Sequence, residues 1–172
     1  HLRRGTGGGS CRLGHELHAL NDVWIPKGSI ARVPDLEVKG GGETLTLFLA
    51  DGLILSTPTG STAYALSAGG PIVPPHVPCM IVAPICAHTL YARPVILSGE
   101  DRAVVIPKGD ARSLMLTQDG QLGYELLPGD ELHAMLDPDI RVQMIPLNGR
   151  SYYDLLRKTL RWGFNGIRGG GV

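Results

Sequence analysis

The chain has 172 residues, of which 43% are hydrophobic, so it is long and apolar enough for one domain with its own core. Its 16 Lys and Arg residues balance 16 Asp and Glu residues, which gives a formal net charge of +0. This balance excludes a protein that gathers nucleic acid or an anionic membrane through a general basic field, so any anionic ligand has to be bound locally.

The cysteines point to a reducing compartment. Cys11, Cys79 and Cys86 are odd in number and have no paired spacing, which argues against a disulfide framework and predicts a cytoplasmic protein. No apolar run approaches the roughly 18 residues that a membrane-spanning helix needs. The chain begins at His1 without a basic-then-apolar leader, so no secretion signal is expected, and the missing initiator Met suggests a fragment.

Residues 1–16 are predicted to form a flexible entry segment, because HLRRGTGGGSCRLG combines glycines and arginines with few apolar positions. Its GTGGGS piece could suggest a phosphate-binding loop. No strand is expected before it and no helix after it, so a linker is the favoured interpretation.

Residues 17–150 have the pattern of a mainly β domain, with short apolar runs separated by turn residues. Thr44 to Ala50 alternates with Leu45, Leu47 and Leu49 on one face, as a half-buried strand does. Many short strands at this spacing predict antiparallel sheets packed as a two-sheet β-sandwich. The predicted strands are Ala19 to Ile25, a strand around Leu36 and Val38, Thr44 to Ala50, Leu53 to Leu55, Met80 to Ala83, Val95 to Leu97, Ala103 to Ile106, Leu114 to Thr117, Gly123 to Leu127, Glu131 to Met135 and Val142 to Ile145, with a turn at Pro107 to Asp110.

Two helices are expected. A short helix follows Thr62, and a C-terminal helix covers residues 151–162, with Ser151 as its N-cap and an apolar stripe from Tyr152 onward. Residues 163–172 are rich in glycine and are predicted to be a flexible tail.

The stretch most indicative of a binding site is DGLILSTPTGSTAYALSAGGP, from Asp51 to Pro71. A buried strand, a hydroxyl-rich turn and a short helix can present free backbone N–H groups to an anionic or sugar-bearing ligand. Two common motifs are excluded. The phosphate-binding loop GxxxxGK(S/T) requires a Lys before its Ser or Thr, which TPTGSTA lacks, and the nucleophile elbow requires G-x-S-x-G, which is absent. Composition alone leaves open a polar loop that caps a helix, in which Ser56, Thr57 and Thr59 bond their own backbone instead of a phosphate.

Four residues of types that bind zinc lie close together in the sequence, namely His76, Cys79, Cys86 and His88. Their spacing, H-x2-C-x6-C-x-H, is not that of a known zinc finger, and Cys79 begins a buried strand, so packing is favoured and no metal site is predicted. His88 is expected to hold the loop before Arg93.

The segment DGLILSTPTGSTAYALSAGGPIV resembles the signature of the NAD kinase family, whose members phosphorylate the adenosine ribose of NAD to make NADP. Further blocks follow in the family's order and make the resemblance more specific than any single motif. They are LNDV at 20–23, PICAHTL at 84–90 with ARP at 92–94, DGQ at 119–121 and SYYDLL at 151–156. The chain therefore resembles the C-terminal NAD-binding domain of an NAD kinase, which is a two-sheet β-sandwich.

The resemblance implies a set of residues that bind NAD. Asn21 and Asp22 match the family's Asn-Glu pair with a carboxylate one methylene shorter, and an amide beside a carboxylate suits a ribose or a carboxamide. Tyr64 can offer a flat apolar face and a hydroxyl to a purine. The implied substrate-binding residues are Asn21, Asp22, Asp51, Thr62, Ala63, Tyr64, Ala65, Leu66, Ser67, Arg32, Cys86 and Gln121.

Several of these residues have a structural alternative. Asp51 could cap a turn, Tyr64 could be a half-buried rim residue, Arg32 could be a solvated charge and Gln121 could be a hairpin-tip residue. The chain also departs from the family at Leu49, where several relatives carry Arg, so some phosphate binding is expected to be weaker or supplied elsewhere.

The family's catalytic loop, Gly-Gly-Asp-Gly in an N-terminal α/β domain, has no counterpart in this sequence. Gly7-Gly8-Gly9-Ser10 lacks the acid, and Gly40-Gly41-Gly42-Glu43 is followed by Thr44. Phosphoryl transfer needs a positioned base, a divalent cation and an in-line hydroxyl. We therefore expect no catalytic residue in this chain, which should be inactive without the missing N-terminal domain.

The resemblance further implies partners and cofactors. ATP or polyphosphate would be the phosphoryl donor, with Mg²⁺ or another divalent cation, and the protein would be a homo-oligomer, a dimer or tetramer in which neighbouring subunits complete each pocket. No nucleic acid or membrane partner is expected. Two alternatives stay open, a non-catalytic nucleotide-binding or assembly module and a lipid-kinase-superfamily relative with an apolar acceptor.

Overall fold

A computed structural model describes residues 2–4, 12–14, 16–26, 35–108, 114–143, 145, 149 and 151–162. The chain divides into two compact units, residues 1–136 and residues 137–172. Helices are few, and no helix among the described residues is long and apolar enough to cross a bilayer. The first unit holds strands β1 Leu2–Arg4, β2 Arg12–Leu13, β3 Asp22–Pro26, β4 Asp35–Gly40, β5 Glu43–Leu49, β6 Gly52–Ser56, β7 Cys79–Ile85, β8 Val95–Ser98, β9 Ala103–Lys108, β10 Leu114–Gln118, β11 Leu122–Leu126 and β12 Glu131–Ala134, with a 3-10 helix at Thr59–Thr62 and helix α1 at Tyr64–Ser67.

The strands form two six-stranded sheets in which every pair is antiparallel. Sheet A has the order β2-β1-β12-β9-β4-β5, and sheet B has the order β11-β10-β3-β6-β7-β8. The prediction of a mainly β protein built from two antiparallel sheets is confirmed.

The main core contains side chains from both sheets. Leu36 and Val38 of β4 lie in one buried cluster with Leu53 and Leu55 of β6 and with Leu116 of β10. Each such side chain stabilises the fold by about 1.5–3 kcal/mol when it leaves water. The two sheets are therefore held together as a sandwich by the hydrophobic effect.

Sheet B is also covered on its outer face. Ile54 of β6 and Ile81 of β7 form a second buried cluster with Ala65 of α1 and with Val73. Strand β6 is consequently buried on both faces, which is why its apolar run is continuous and does not alternate. This outer layer holds α1 and the turn before it against the end of β6.

The alternation of β5 was predicted correctly, and the structure shows that the face with the three leucines is the exposed one. Phe48 is buried in the core, whereas Leu45, Leu47 and Leu49 are exposed. A period of two shows that the two faces of a strand differ, and it does not show which of them meets the other sheet. The large aromatic ring of Phe48 occupies the core side of this terminal strand.

Three further expectations differ from the structure. Leu2–Arg4 pairs with β12 and Arg12–Leu13 pairs with Leu2–Arg4, so these parts of the predicted entry segment are strands. Strand β9 continues through Pro107 and Lys108, where a turn was predicted. The strand predicted at Val142 to Ile145 is wrong, because residues 142, 143 and 145 are not in a strand. An apolar alternation supplies no hydrogen-bonding neighbour, and a strand requires one. The GTGGGS piece, Arg32 and residues 163–172 lie outside the described residues.

The second unit contains helix α2, Tyr152–Thr159. Ser151 is its N-cap as predicted, because the Ser151 hydroxyl accepts a hydrogen bond from the backbone N–H of Asp154 at 3.1 Å, and the Asp154 carboxylate accepts one from the N–H of Ser151. This reciprocal capping box satisfies two N–H groups that the first turn of a helix leaves without a partner. The helix ends at Thr159, three residues before the predicted end.

Candidate functional site

The candidate site begins at the first residue of β3. Val23 and Ile25 face the main core, so Asp22 and Trp24 point to the outer face of sheet B. Asp22 lies opposite Ser56 across the ladder with β6, and Trp24 lies opposite Ile54. The predicted Asn21–Asp22 pair is therefore at the end of β6 from which the hydroxyl-rich turn departs.

The turn after β6 is bonded to the residues that precede β3. The N–H of Thr57 donates to the carbonyl of Asn21 at 2.9 Å, and its hydroxyl donates to the carbonyl of Leu20 at 2.7 Å. The Ser56 hydroxyl lies 3.3 Å from the Asn21 carbonyl and 3.0 Å from the carbonyl of Thr57. The sequence left open whether the hydroxyls of Ser56 and Thr57 bind a phosphate or bond to the backbone. In the structure both of them bond to backbone carbonyls.

Gly60 allows the turn after β6 to lie directly against the backbone of Asn21. A Cβ at residue 60 would lie 2.1 Å from the carbonyl oxygen of Asn21 and 2.6 Å from the Oγ of Ser56. These distances are far inside van der Waals contact, so only glycine fits between the turn and the backbone of Asn21.

The N–H groups of the turn are largely engaged within it. The N–H of Ser61 donates to the carbonyl of Pro58 at 3.2 Å, and that of Ala63 donates to the carbonyl of Gly60 at 2.9 Å. The N–H of Gly60 donates to the Thr57 hydroxyl at 3.1 Å. The expectation that the turn offers free N–H groups is therefore not met at these residues, and side chains are left as the main polar groups for a ligand.

The predicted residues 62–67 divide by exposure. Thr62, Ala63, Tyr64 and Ser67 are exposed, and Leu66 is half-buried. Ala65 is 0% exposed and belongs to the outer apolar layer, so its methyl group packs under α1 and does not face solvent.

Tyr64 rests on an aromatic neighbour. Its ring and that of Trp24 meet edge to face, with centroids 5.2 Å apart and planes at 80°. Such pairs contribute about 0.5–1.5 kcal/mol beyond the area that they bury. Because Trp24 lies on the same face as Asp22, the contact connects Tyr64 with the β3 end of the site. The sequence shows Trp24 only as a member of an apolar run, so its role was missed.

A second residue that was missed is Asp119, in the turn between β10 and β11. Its carboxylate accepts the backbone N–H groups of Leu20 at 2.8 Å, Asn21 at 2.8 Å and Asp22 at 3.0 Å. Gln121 belongs to the same turn, where its N–H donates to the carbonyl of Gln118 at 2.9 Å. The Asp119-Gly120 sequence identifies a turn, but it carries no signal for a partner about a hundred residues away in sequence.

Asp22 is a buried carboxyl group, with 6% of its surface exposed. Burial raises its pKa above the usual range, and the neighbouring Asp119 carboxylate raises it further. Both effects disfavour the ionised form. Asp22 therefore keeps its proton to a higher pH than an exposed aspartate does.

Asp22→Asn should change how stability depends on pH. A raised folded-state pKa means that the folded protein binds more protons than the unfolded chain, so the stability that Asp22 contributes is present below its unfolded pKa, about 3.9, and is lost as pH rises through its folded pKa. Asn does not titrate, so the stability of the variant relative to wild type should increase as pH rises above the unfolded pKa of aspartate and through the raised pKa of Asp22. Urea unfolding at several pH values measures this, and a stability difference that is constant across the range would contradict it.

Asp51 and Cys86 lie at the other end of β6. The N–H of Asp51 donates to the carbonyl of Ile85 at 2.8 Å, and the Asp51 carboxylate lies 3.2 Å from Nε2 of His88. Cys86 is exposed and has a φ of 45°. From Gly52 to Ser56 the strand extends about 13 Å. The structure thus places Asp51 and Cys86 together, and it does not bring them to Asn21 and Tyr64 within this chain.

His88 has the structural role that was expected of it. Besides its contact with Asp51, its N–H donates to the carbonyl of Leu49 at 2.8 Å, which fixes the start of the loop that leads to Arg93. Among the described residues no three His, Cys, Asp or Glu side chains converge as a metal site requires.

Residues 20–142 match the family model of the ATP-NAD kinase C-terminal domain. The NAD kinase of Geotalea daltonii is 43% identical over 144 residues, which cover 84% of this chain and 50% of that protein. The NAD kinase of Geobacter sulfurreducens is 44% identical over 155 residues, which cover 88% of this chain and 54% of that protein. The chain thus spans about half the length of the curated relatives that it matches.

Two solved structures share the fold. The yeast NADH kinase complexed with NADH superposes with a TM-score of 0.67 and 36% identity, over 78% of this chain and 39% of that chain. An NAD kinase from Archaeoglobus fulgidus in complex with ATP superposes with a TM-score of 0.59 and 31% identity, over 66% of this chain and 43% of that chain. The matched family model spans the β3 end of the site, the hydroxyl-rich turn, α1 and the Asp119 turn.

Proposed function

This chain belongs to the ATP-NAD kinase C-terminal domain family, and we propose that it forms the NAD-binding part of an enzyme that phosphorylates the 2′-hydroxyl of the adenosine ribose of NAD to give NADP. The observation that carries the proposal is the meeting of two separate motif segments. Residues 21–22 and residues 57–64 are joined by the bonds of Thr57 and by the Trp24–Tyr64 contact.

Each group at this end of β6 has a chemical task in the proposal. The amide of Asn21 donates and accepts hydrogen bonds, which suits a ribose hydroxyl or the carboxamide of nicotinamide. The ring of Tyr64, held against Trp24, offers a face to the adenine. Asp22, when protonated, can donate as well as accept. None of these groups is assigned as the base that removes the 2′-hydroxyl proton.

The phosphoryl donor is proposed to be ATP or polyphosphate with Mg²⁺ or another divalent cation. Support comes from the NAD kinase of Archaeoglobus fulgidus, whose structure is a complex with ATP. Since the sequence has no Gly-Gly-Asp-Gly loop, we propose that the base and the donor site belong to the N-terminal domain, and that this chain alone has no kinase activity.

A homo-oligomer would bring Asp51 and Cys86 to a bound NAD molecule. Asp51 and Cys86 are implied to contact NAD, yet they are about 13 Å along β6 from the Asn21 end. We propose that the Asp51 end of one subunit faces NAD held at the Tyr64 end of a neighbouring subunit. A symmetric dimer would form two such composite sites.

Calorimetric titration of this chain with NAD tests the proposed site. Wild type should bind, and Tyr64→Ala should weaken binding about tenfold to a hundredfold, because an aromatic platform for a base is worth about 1–3 kcal/mol. Asn21→Ala should also weaken binding. The matched control is Tyr153→Ala, which removes an exposed tyrosine of α2 and should leave NAD affinity unchanged.

Two results would contradict the proposal. One is a wild-type chain that gives no heat with NAD, and the other is a Tyr64→Ala chain that binds NAD as wild type does. Intact folding of each variant is checked by its thermal unfolding, so that lost binding is not confused with lost structure.

A further inference from the structure

The turn between β10 and β11 carries a carboxylate that is bonded to a different strand. Oδ1 of Asp119 accepts the N–H of Asn21 at 2.8 Å and that of Asp22 at 3.0 Å, while Oδ2 accepts the N–H of Leu20 at 2.8 Å. The N–H of Asp119 donates in return to the carbonyl of Asp22 at 3.0 Å. Four hydrogen bonds therefore link this residue to the segment that carries the Asn21–Asp22 pair.

Asp119 makes these four hydrogen bonds while its own backbone has an unfavourable conformation. Its φ is 44°, in the left-handed region, and Gly120 follows with a φ of 72°. A residue with a Cβ enters this region at an energetic cost, and aspartate is among the few that tolerate it. Such a conformation persists where neighbouring interactions maintain it, and it is frequent at functional sites. Here the neighbouring interactions are the bonds to residues 20–22.

The same segment is bonded from its other side. Thr57 donates to the carbonyls of Leu20 and Asn21, and Gly60 lies directly against the Asn21 carbonyl. The N–H groups of Asn21 and Asp22 point to Asp119, and the carbonyls of Leu20 and Asn21 point to the turn after β6. The backbone on which both side chains stand is thus fixed before any ligand arrives.

We propose that Asp119 is a positioning residue of the NAD site, and that it acts through the backbone of Asn21 and Asp22 without touching the ligand itself. The inference rests on the proposed function, because it assumes that Asn21 and Asp22 bind NAD. Fixing these two residues in advance removes the entropy loss that ordering them would otherwise add to binding. A carboxylate suits the task because it offers two acceptor oxygens and carries no N–H of its own.

Two substitutions at residue 119 distinguish the contribution of the carboxylate from that of the turn conformation. Asp119→Gly keeps the left-handed conformation accessible and removes all three accepted bonds. Asp119→Asn keeps one acceptor oxygen, enough for Asn21 and Asp22, but turns an NH₂ group toward the N–H of Leu20. We expect NAD affinity of the 172-residue chain to fall about tenfold in Asp119→Gly, and by less in Asp119→Asn, which acts as the partial rescue.

A double-mutant cycle with Asn21→Ala identifies the route of the effect. If Asp119 acts through Asn21, the double variant Asn21→Ala/Asp119→Gly should bind NAD nearly as well as Asn21→Ala alone, so that the two effects are far from additive. Asp101→Gly is the matched control. It removes another turn aspartate whose carboxylate accepts one backbone N–H, from Ser98 at 3.0 Å, and NAD affinity should not change.

The outcomes are distinguishable. Weaker binding in Asp119→Gly, an intermediate Asp119→Asn and non-additivity with Asn21→Ala together support the inference. Wild-type affinity in Asp119→Gly, or effects that simply add, overturns it and leaves the proposed NAD site standing. A wild-type chain that does not bind NAD overturns both.

Discussion

Gly60→Ala is expected to destabilise the first unit by about 3 kcal/mol or more and to abolish NAD binding. The added methyl group would lie 2.1 Å from the carbonyl oxygen of Asn21 and 2.6 Å from its carbonyl carbon. Both are backbone atoms that are held by β3 and by Asp119, so they cannot move aside as the end of a flexible side chain can. The turn after β6 must therefore separate from residue 21 or unfold.

Urea denaturation and NAD titration of Gly60→Ala measure the two effects. Gly123→Ala is the matched control. Among the residues that the structure describes, its new methyl group would come close only to the Cε of Met115, at 2.8 Å, which is the free end of a flexible side chain. This control should stay within about 0.5 kcal/mol of wild type and bind NAD normally. A Gly60→Ala protein as stable as Gly123→Ala would show that the turn does not press on Asn21.

Two variants that each bind NAD weakly are expected to recover sites of wild-type affinity when their subunits are mixed. Tyr64→Ala damages one end of β6, and Asp51→Ala damages the other. If each site combines the Tyr64 end of one subunit with the Asp51 end of its neighbour, a mixed dimer has one site with both defects and one intact site. Random pairing of equal amounts makes half of the dimers mixed, so about a quarter of the sites should recover.

Co-refolding the two variants and titrating with NAD gives the number of recovered sites. The matched control is a mixture of Tyr64→Ala and Asn21→Ala, which damage the same end of β6, so every site in a mixed dimer keeps one defect and none should recover. Equal recovery in both mixtures, or none in either, would contradict a site shared between subunits.

Much of the fold could be predicted because its signals are local. The unbroken apolar run at Leu53 to Leu55 predicts a buried strand, and Ser151 before an apolar stripe predicts the start of α2. The hydroxyl-rich turn and the short helix after it are likewise encoded by adjacent residues. For the turn and for α2, the interactions that form the element join residues only a few positions apart, whereas β6 could be predicted because burial on both faces leaves a continuous apolar run.

Other features depend on partners that are distant in sequence. The alternation of β5 was visible, but only the packing of Phe48 against the other strands decides which face is buried. The entry residues Leu2–Arg4 became a strand because β12 supplies an edge for them more than a hundred residues later. For the same reason Val142 and Ile145 have a strand-like pattern without being in a strand.

The candidate site shows the same division. The sequence by itself determined that a chain of this length forms a mainly β domain, and which segments carry the family's motif residues. Only the tertiary structure decided that Asn21 and Tyr64 share one end of β6, that Asp51 is at the opposite end, and that Trp24 and Asp119 support the site. The physical reason is that strand pairing and side-chain packing join distant residues through register and sheet order, and neither is written in the local periodicity of the chain.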